Sequence, residues 1–142
     1  MDDIVRLRLR AMLERDEGRK NKMYLDSVGA WTIGIGHNLR DRPISDHAVD
    51  VIFEDDIADT ERELVAALPW VTDLDPVRYC VLMNMSYNLG VAGLLEFRQM
   101  LAAVQAKDWD KAADAMIDSK WADQVGARAT RLERLMLSGV WP

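Results

Sequence analysis

Asn21-Lys22-Met23-Tyr24-Leu25-Asp26-Ser27-Val28-Gly29-Ala30-Trp31-Thr32-Ile33-Gly34-Ile35-Gly36-His37 is the stretch on which the fold turns. Tyr24, Trp31, Thr32, Ile33 and Ile35 favour strands, and Gly29, Gly34 and Gly36 punctuate them. Asp26-Ser27-Val28-Gly29 supplies turn chemistry between two short extended runs. The pattern predicts a small β-hairpin or three-stranded ribbon over 21–39, inside a β region bounded by 18–40. Nothing else in the chain reads as sheet.

Outward from that stretch the sequence reads as helices. A first helix ends at Glu17, where Gly18 is a natural stop. Its apolar positions Ile4, Val5, Leu7, Leu9, Met12 and Leu13 fit a helical stripe imperfectly. Ser45 is placed to cap a helix over 46–67 that ends near Pro69, within an acidic linking segment over 41–69. Its stripe is Ala48, Val51, Ile52, Ile57 and Leu64. Asp75-Pro76 opens a helix to about Asn88 that is apolar nearly all round and is expected to be the central buried one. A break at 89–93 precedes helices near 94–106, 109–118 and 126–137, with joints at Lys107-Asp108-Trp109 and Asp123-Gln124-Val125-Gly126. Residues 70–142 thus form a helical lobe. The expectation is one α+β domain over 1–142, predominantly helical.

Composition narrows the function. The chain has 142 residues, 49% of them apolar and 30% charged, enough for a core and a soluble surface. Cys80 is its one cysteine, so neither an internal disulfide nor a cysteine-rich zinc site is available. His37 and His47 are the two histidines and form no metal cluster with it; His47 is expected to be exposed and His37 to be structural. The net charge is −6, with eleven acidic side chains against two basic over 41–75. Such a chain lacks the basic face that nucleic-acid phosphates require. The cluster from Glu54 to Glu63 reads as a solvated helix face. No apolar run reaches the length of a signal peptide or a membrane span. The expectation is a soluble protein resident in the cytoplasm, without signal peptide or membrane anchor.

Three polar residues flank the β segment. Glu17 falls on the last turn of its helix, where the negative end of the dipole opposes ionisation and is expected to raise its pKa. Asp26 sits at the turn, where solvent and backbone donors favour the anion. Thr32 lies six residues further. Two carboxylates in unlike environments, with a hydroxyl to hold a water, are the parts of a glycoside hydrolase site. Ordinary helix-end, turn and strand residues produce the same spacing, so both readings stand on these three positions alone. Asn84 and Asn88 lie one helical turn apart, and buried amides need partners, so their face meets polar groups or a cleft. The eight methionines and five tryptophans read mostly as core filler.

Asp16-Glu17-Gly18, Tyr24-Leu25-Asp26 and Gly29-Ala30-Trp31-Thr32-Ile33-Gly34-Ile35-Gly36-His37 resemble the signature of the phage lysozymes, glycoside hydrolase family 24. The pattern Glu-x8-Asp-x5-Thr is reproduced in full. Asn84-Met85-Ser86-Tyr87-Asn88-Leu89-Gly90 is similar to the family's central helix. Asp108-Trp109 with Ala112-Ala113, Ser119-Lys120-Trp121, Gln124, Arg128, Arg131 and Gly139-Val140-Trp141 resemble its C-terminal lobe. The similarity runs over roughly 12–141.

That resemblance implies a lysozyme-like fold and hydrolysis of the β-1,4 bond between N-acetylmuramic acid and N-acetylglucosamine in bacterial peptidoglycan. Glu17 would be the general acid; Asp26 and Thr32 would position and activate the water, and no metal or organic cofactor would be required. Gly36, Asn38, Tyr87 and Asn88 would line the sugar cleft, and Arg128 would lie near Glu17. His37 with Asp56, and Asp16 with Arg131, would form structural ion pairs. The resemblance further implies a monomeric endolysin, from a phage or prophage, held in the host cytoplasm until a holin-type pore releases it to the wall. Two departures stand out: the segment after His37 is shorter than in T-even members, and the chain is acidic where those are basic. A lytic transglycosylase, an inactive glycan-binding module on the same fold and an all-helical regulatory protein are the competing readings.

Overall fold

A computed structural model describes all of residues 1–142. It contains seven α-helices and one three-stranded antiparallel sheet, the predominantly helical α+β architecture expected. The order is α1 (Asp3–Glu17), β1 (Lys20–Leu25), β2 (Trp31–Gly34), β3 (His37–Asn38), α2 (Asp46–Ala67), a 3-10 turn (Pro69–Asp73), α3 (Pro76–Leu95), α4 (Arg98–Gln105), α5 (Trp109–Ile117), α6 (Lys120–Val125) and α7 (Ala127–Ser138). The chain divides into two compact units, Met1–Val51 and Ile52–Pro142.

In the first unit, α1 starts because the Asp2 carboxylate accepts the Val5 amide at 2.8 Å, and it stops at Gly18, whose φ of 73° a residue with a Cβ resists. The sheet order is β1-β2-β3. Tyr24 pairs with Thr32 and Leu25 with Trp31, while an irregularity interrupts the ladder between Lys20 and Tyr24. On the other side of β2, Thr32 pairs with Asn38 and Ile33 with His37. The ribbon expected over 21–39 is therefore present. Ser45 Oγ accepts the Ala48 amide at 3.2 Å at the head of α2, as its cap position implies. His47 is exposed.

The second unit holds the core. Val81, Leu82, Met85 and Leu94 of α3 are wholly buried and make it the central helix, but Cys80, Asn84, Tyr87 and Asn88 are exposed, so it is buried on one side and not all round as expected. Leu64, Val71, Met100, Val104, Met116, Trp121 and Met136 close round it. Four of the eight methionines, Met85, Met100, Met116 and Met136, lie in that core. Of the stripe expected on α2 only Leu64 is buried; Ile57 is half-buried, and Ile52 is exposed together with neighbouring Phe53.

Two boundaries differ from the sequence reading. The break expected at 89–93 falls at Gly90, whose φ of 72° and ψ of 156° are non-helical and kink α3 before it runs on to Leu95, so the next helix begins at Arg98 and not near 94. One glycine absorbs the change of direction and the apolar run resumes beyond it. The joint at 123–126 shrinks to Gly126, because Ser119 accepts the Ala122 amide at 3.1 Å and nucleates α6 ahead of it.

One half-buried cation ties the lobe together. Arg78 donates from Nε to Met136 O at 2.7 Å, from Nη2 to Leu137 O at 2.8 Å and from Nη1 to Asp75 Oδ2 at 2.9 Å. Its guanidinium stacks 3.9 Å above the Trp109 ring. Two last-turn carbonyls of α7 that have no helical partner thus receive a charged donor from α3. Gly139 passes so close to Nη1 that a Cβ there would collide with it.

Candidate active site

The first unit brings Glu17, Asp26 and Thr32 to one small sheet. Asp26 occupies the turn between β1 and β2. Its amide donates to Ala30 O at 3.0 Å, and its Oδ1 accepts the amides of Ala30 at 2.8 Å and Val28 at 3.0 Å. These contacts hold the side chain in one orientation and favour its charged form. The Asp26 carboxyl accordingly lies below the ordinary range. The Ala30 amide is the largest cause and burial opposes it; the Val28 amide, the charge of Arg40 and the Thr32 hydroxyl follow. Thr32 is 3% exposed, and its Oγ1 donates to Ala30 O at 3.0 Å. That proton is committed to the carbonyl, so the weak effect of Thr32 on Asp26 is that of a hydroxyl between two acceptors.

Glu17 is the last residue of α1 and is exposed. Its position is set by Gly36, in the turn between β2 and β3. With φ at 67°, Gly36 presents a bare Cα, and a Cβ there would lie 2.7 Å from Glu17 Oε2. Glu17 therefore sits against the turn at one end of β2, and Asp26 occupies the turn at the other. Four strand residues rise about 10 Å over three steps, and Thr32 lies between the ends.

The other residues expected at the site have definite surroundings. Asn38 uses its carboxamide locally: Oδ1 accepts the amides of Arg40 and Asp41 at 2.9 and 3.2 Å, and Nδ2 donates to Asp41 Oδ2 at 2.9 Å. His37 is half-buried, and its enclosed Nε2 has no hydrogen-bond partner. Asp16 contacts Arg15 at 2.9 Å on an exposed surface, a contact worth at most about 1 kcal/mol.

In the second unit, Tyr87 stands edge-on to Phe53, with ring centroids 5.9 Å apart. Its hydroxyl donates to Asp56 Oδ2 over a long 3.4 Å, and burial, then the Asp56 charge, raises its pKa. Asn88 Oδ1 accepts the indole N–H of buried Trp121 at 2.9 Å. Arg128 donates from Nε to Asn84 Oδ1 at 2.9 Å and from Nη2 to Asn84 O at 3.1 Å. Asn84 and Asn88 are exposed and not buried as expected, yet each accepts a side-chain donor. A groove of about 560 Å³ lies among Phe53, Ile57, Asn84, Tyr87 and Arg128. A second, of about 660 Å³, shares Asn84 and Arg128 and adds Arg131 and Arg134. A larger one of about 750 Å³, beside Val65, Thr72 and Tyr79, contains none of the residues expected at the site. There the Tyr79 hydroxyl donates to Glu61 at 2.7 Å, and burial, followed by Glu61, pushes its pKa up to about 12.

Sequence reasoning gave no reason to single out Arg40, whose charge reaches Asp26. The signal is not local: it needs the β2–β3 register, which folds residues 38–42 back toward the Asp26 turn.

The family model described as phage lysozyme matches residues 14–135. The pre-baseplate central spike protein Gp5 of Enterobacteria phage T4 is 32% identical over 97% of this chain; the match spans only 29% of Gp5. Two proteins of Dictyostelium discoideum, probable T4-type lysozymes 1 and 2, are 27% and 29% identical over 92% of this chain and 94% of their own lengths. The alignments run to 160 positions or more, beyond the 142 residues of this chain. The match to the family model covers most of the chain and includes Glu17, Asp26 and Thr32, and on that extent the protein belongs to the phage lysozyme family.

Proposed function

We propose that this protein is a muramidase, cutting the β-1,4 bond between N-acetylmuramic acid and N-acetylglucosamine in peptidoglycan. The observation that carries the reading is the match to the phage lysozyme family over residues 14–135, which includes Asp26, a turn carboxylate whose Oδ1 accepts two amides, and the buried Thr32. Glu17, across the length of β2, takes the complementary role.

In this mechanism Glu17 donates its proton to the glycosidic oxygen as the C1–O bond breaks. A water held by Thr32 and Asp26 attacks C1 from the opposite face and gives its proton to Asp26. Bond cleavage then adds one water and inverts the configuration at C1. Inverting enzymes need roughly 6.5–9.5 Å between the carboxyls, against about 5 Å for a covalent route. Carboxylates at opposite ends of a four-residue strand favour the former. A transglycosylase forms an anhydro product without water and has no use for the Asp26–Thr32 pair. Tyr87, Asn88, Arg128, Gly36 and Asn38 are assigned to the glycan. His37 with Asp56, and Asp16 with Arg131, are assigned to ion pairs that hold the fold.

Clearing of a peptidoglycan suspension tests the reading. Glu17→Gln, with the same circular dichroism as wild type, should lose 10²-fold or more of the rate, the order expected for a lost general acid. Clearing retained by that variant contradicts it.

A second reading concerns where the enzyme works. The resemblance to a central spike protein favours a lysozyme module carried on a particle, as against a free endolysin released through a pore. Fractionation of phage lysates, with antibody against the chain, separates the two: particle-associated protein supports the first, soluble protein the second.

A further inference from the structure

Asn84 has no duty in the muramidase reading. It lies on the exposed face of α3 that also carries Tyr87 and Asn88, three and four residues on. Its side chain meets the start of α7, where the half-buried Arg128 occupies the first turn. That is an unfavourable place for a cation, because the unpaired amides of a helix start carry positive charge. Arg131 and Arg134 follow on the same helix, and none of the three arginines has an ion-pair partner. Asn84 answers with two oxygens: Oδ1 accepts Arg128 Nε at 2.9 Å, and the carbonyl accepts Nη2 at 3.1 Å.

We infer that Asn84 is a positioning residue for Arg128, holding the guanidinium in the orientation in which it donates to the glycan. The inference rests on the muramidase reading, which gives Arg128 its contact with substrate. A guanidinium carries five N–H donors in one rigid plane; Asn84 takes one from Nε and one from Nη2 and leaves the other three free to donate. Two bonds to one residue fix the plane, which a single bond would let swing. Asn84 and Arg128 are the two residues shared by the grooves of about 660 and 560 Å³, so the plane is fixed on the wall common to both. A neutral amide suits this task. It orients the cation without neutralising the charge that the free N–H groups present to sugar oxygens.

Two readouts test this. Hydrogen exchange of the Arg128 Nε–H, followed by nitrogen NMR, reports the clamp without substrate. A double-mutant cycle of Asn84→Ala and Arg128→Ala on peptidoglycan reports its use. Asn84 is exposed, so Asn84→Ala should keep the wild-type circular dichroism. Its Nε–H should exchange about tenfold faster than in wild type, the loss of one hydrogen bond. Asn84→Asp keeps an oxygen in place and should restore slow exchange. The carbonyl bond to Nη2 survives in the alanine variant, so Arg128 stays near but swings. KM should then rise about threefold to tenfold with kcat little changed, as for binding lost equally from ground and transition states. With Arg128→Ala already present, Asn84→Ala should add nothing. Exchange that stays slow in Asn84→Ala, or stays fast in Asn84→Asp, overturns the inference. So do equal losses from Asn84→Ala with and without the arginine; if cutting still depends on Glu17, only this inference falls. A clamp seen by NMR in a protein that releases no fragments from peptidoglycan removes the duty to substrate together with the muramidase reading.

Discussion

Glu17 Oε2 lies where a side chain on Gly36 would begin: a Cβ added to Gly36 would stand 2.7 Å from it. The helix that carries the expected acid and the turn that carries the glycine meet without a side chain between them. Gly36 is thus both the residue that permits the left-handed turn and the surface on which the acid rests.

Gly36→Ala should therefore affect activity more than stability. The strained φ costs about 1 kcal/mol. The Glu17 side chain can swing aside, because it is exposed, but that movement displaces the proton donor, and misplacement of about 1 Å can cost on the order of 10²-fold in rate. Thermal melting and clearing rate on the same preparation check this. An alanine variant with wild-type activity would show that Gly36 does not position the acid.

Asp26→Asn keeps an oxygen for the Val28 and Ala30 amides, so the turn should survive while the proton acceptor is lost. Clearing should fall about 10²–10⁴-fold with the circular dichroism unchanged. The pH dependence has a definite sign. The folded pKa of Asp26 is lowered, so its stabilising contribution is full above the unfolded value and disappears as pH falls through the folded value. The asparagine variant should lack that part of the acid destabilisation, as urea melts at several pH values would reveal.

Most of the architecture was legible in the sequence for identifiable reasons. Gly18, Ser45 and the Asp75-Pro76 pair carry their boundary signals within a few residues, and each boundary is where that chemistry puts it. The glycine-punctuated run from Tyr24 to Gly36 carries both the turn and the strands. The break at 89–93 was legible from its two glycines and falls at Gly90, although the apolar residues on both sides of it pack into one core. Arg78 was invisible, since its partners at Met136 and Leu137 are nearly sixty residues away. The surroundings of Glu17 and Asp26 depend on the Gly36 and Asn38 turns, whose contacts no local pattern encodes.

Arg78→Met should test the clamp. The change keeps much of the stem but leaves two carbonyls at the end of α7 without their charged donor and removes the stack on Trp109. A loss of about 2–4 kcal/mol is expected, with melting lowered by several degrees for a chain of this size. Activity per folded molecule at low temperature should be unchanged. A variant melting like wild type would show that α7 is held by its apolar face alone.

Asn88→Ala should destabilise by about 1–3 kcal/mol, because the buried Trp121 indole N–H loses its acceptor. Asn88→Asp retains an acceptor and should melt closer to wild type. Comparing the melts of the two variants separates this structural duty from any contact with the glycan. Equal melts for alanine and wild type would mean that the indole finds another acceptor.

The most direct measurement is mass spectrometry of the soluble fragments released from purified peptidoglycan, with wild type and Glu17→Gln run side by side. A hydrolase that uses Glu17 as its acid releases fragments ending in reducing N-acetylmuramic acid from wild type and none from the variant. Anhydromuramic ends, or reducing ends released equally by both proteins, would contradict that chemistry.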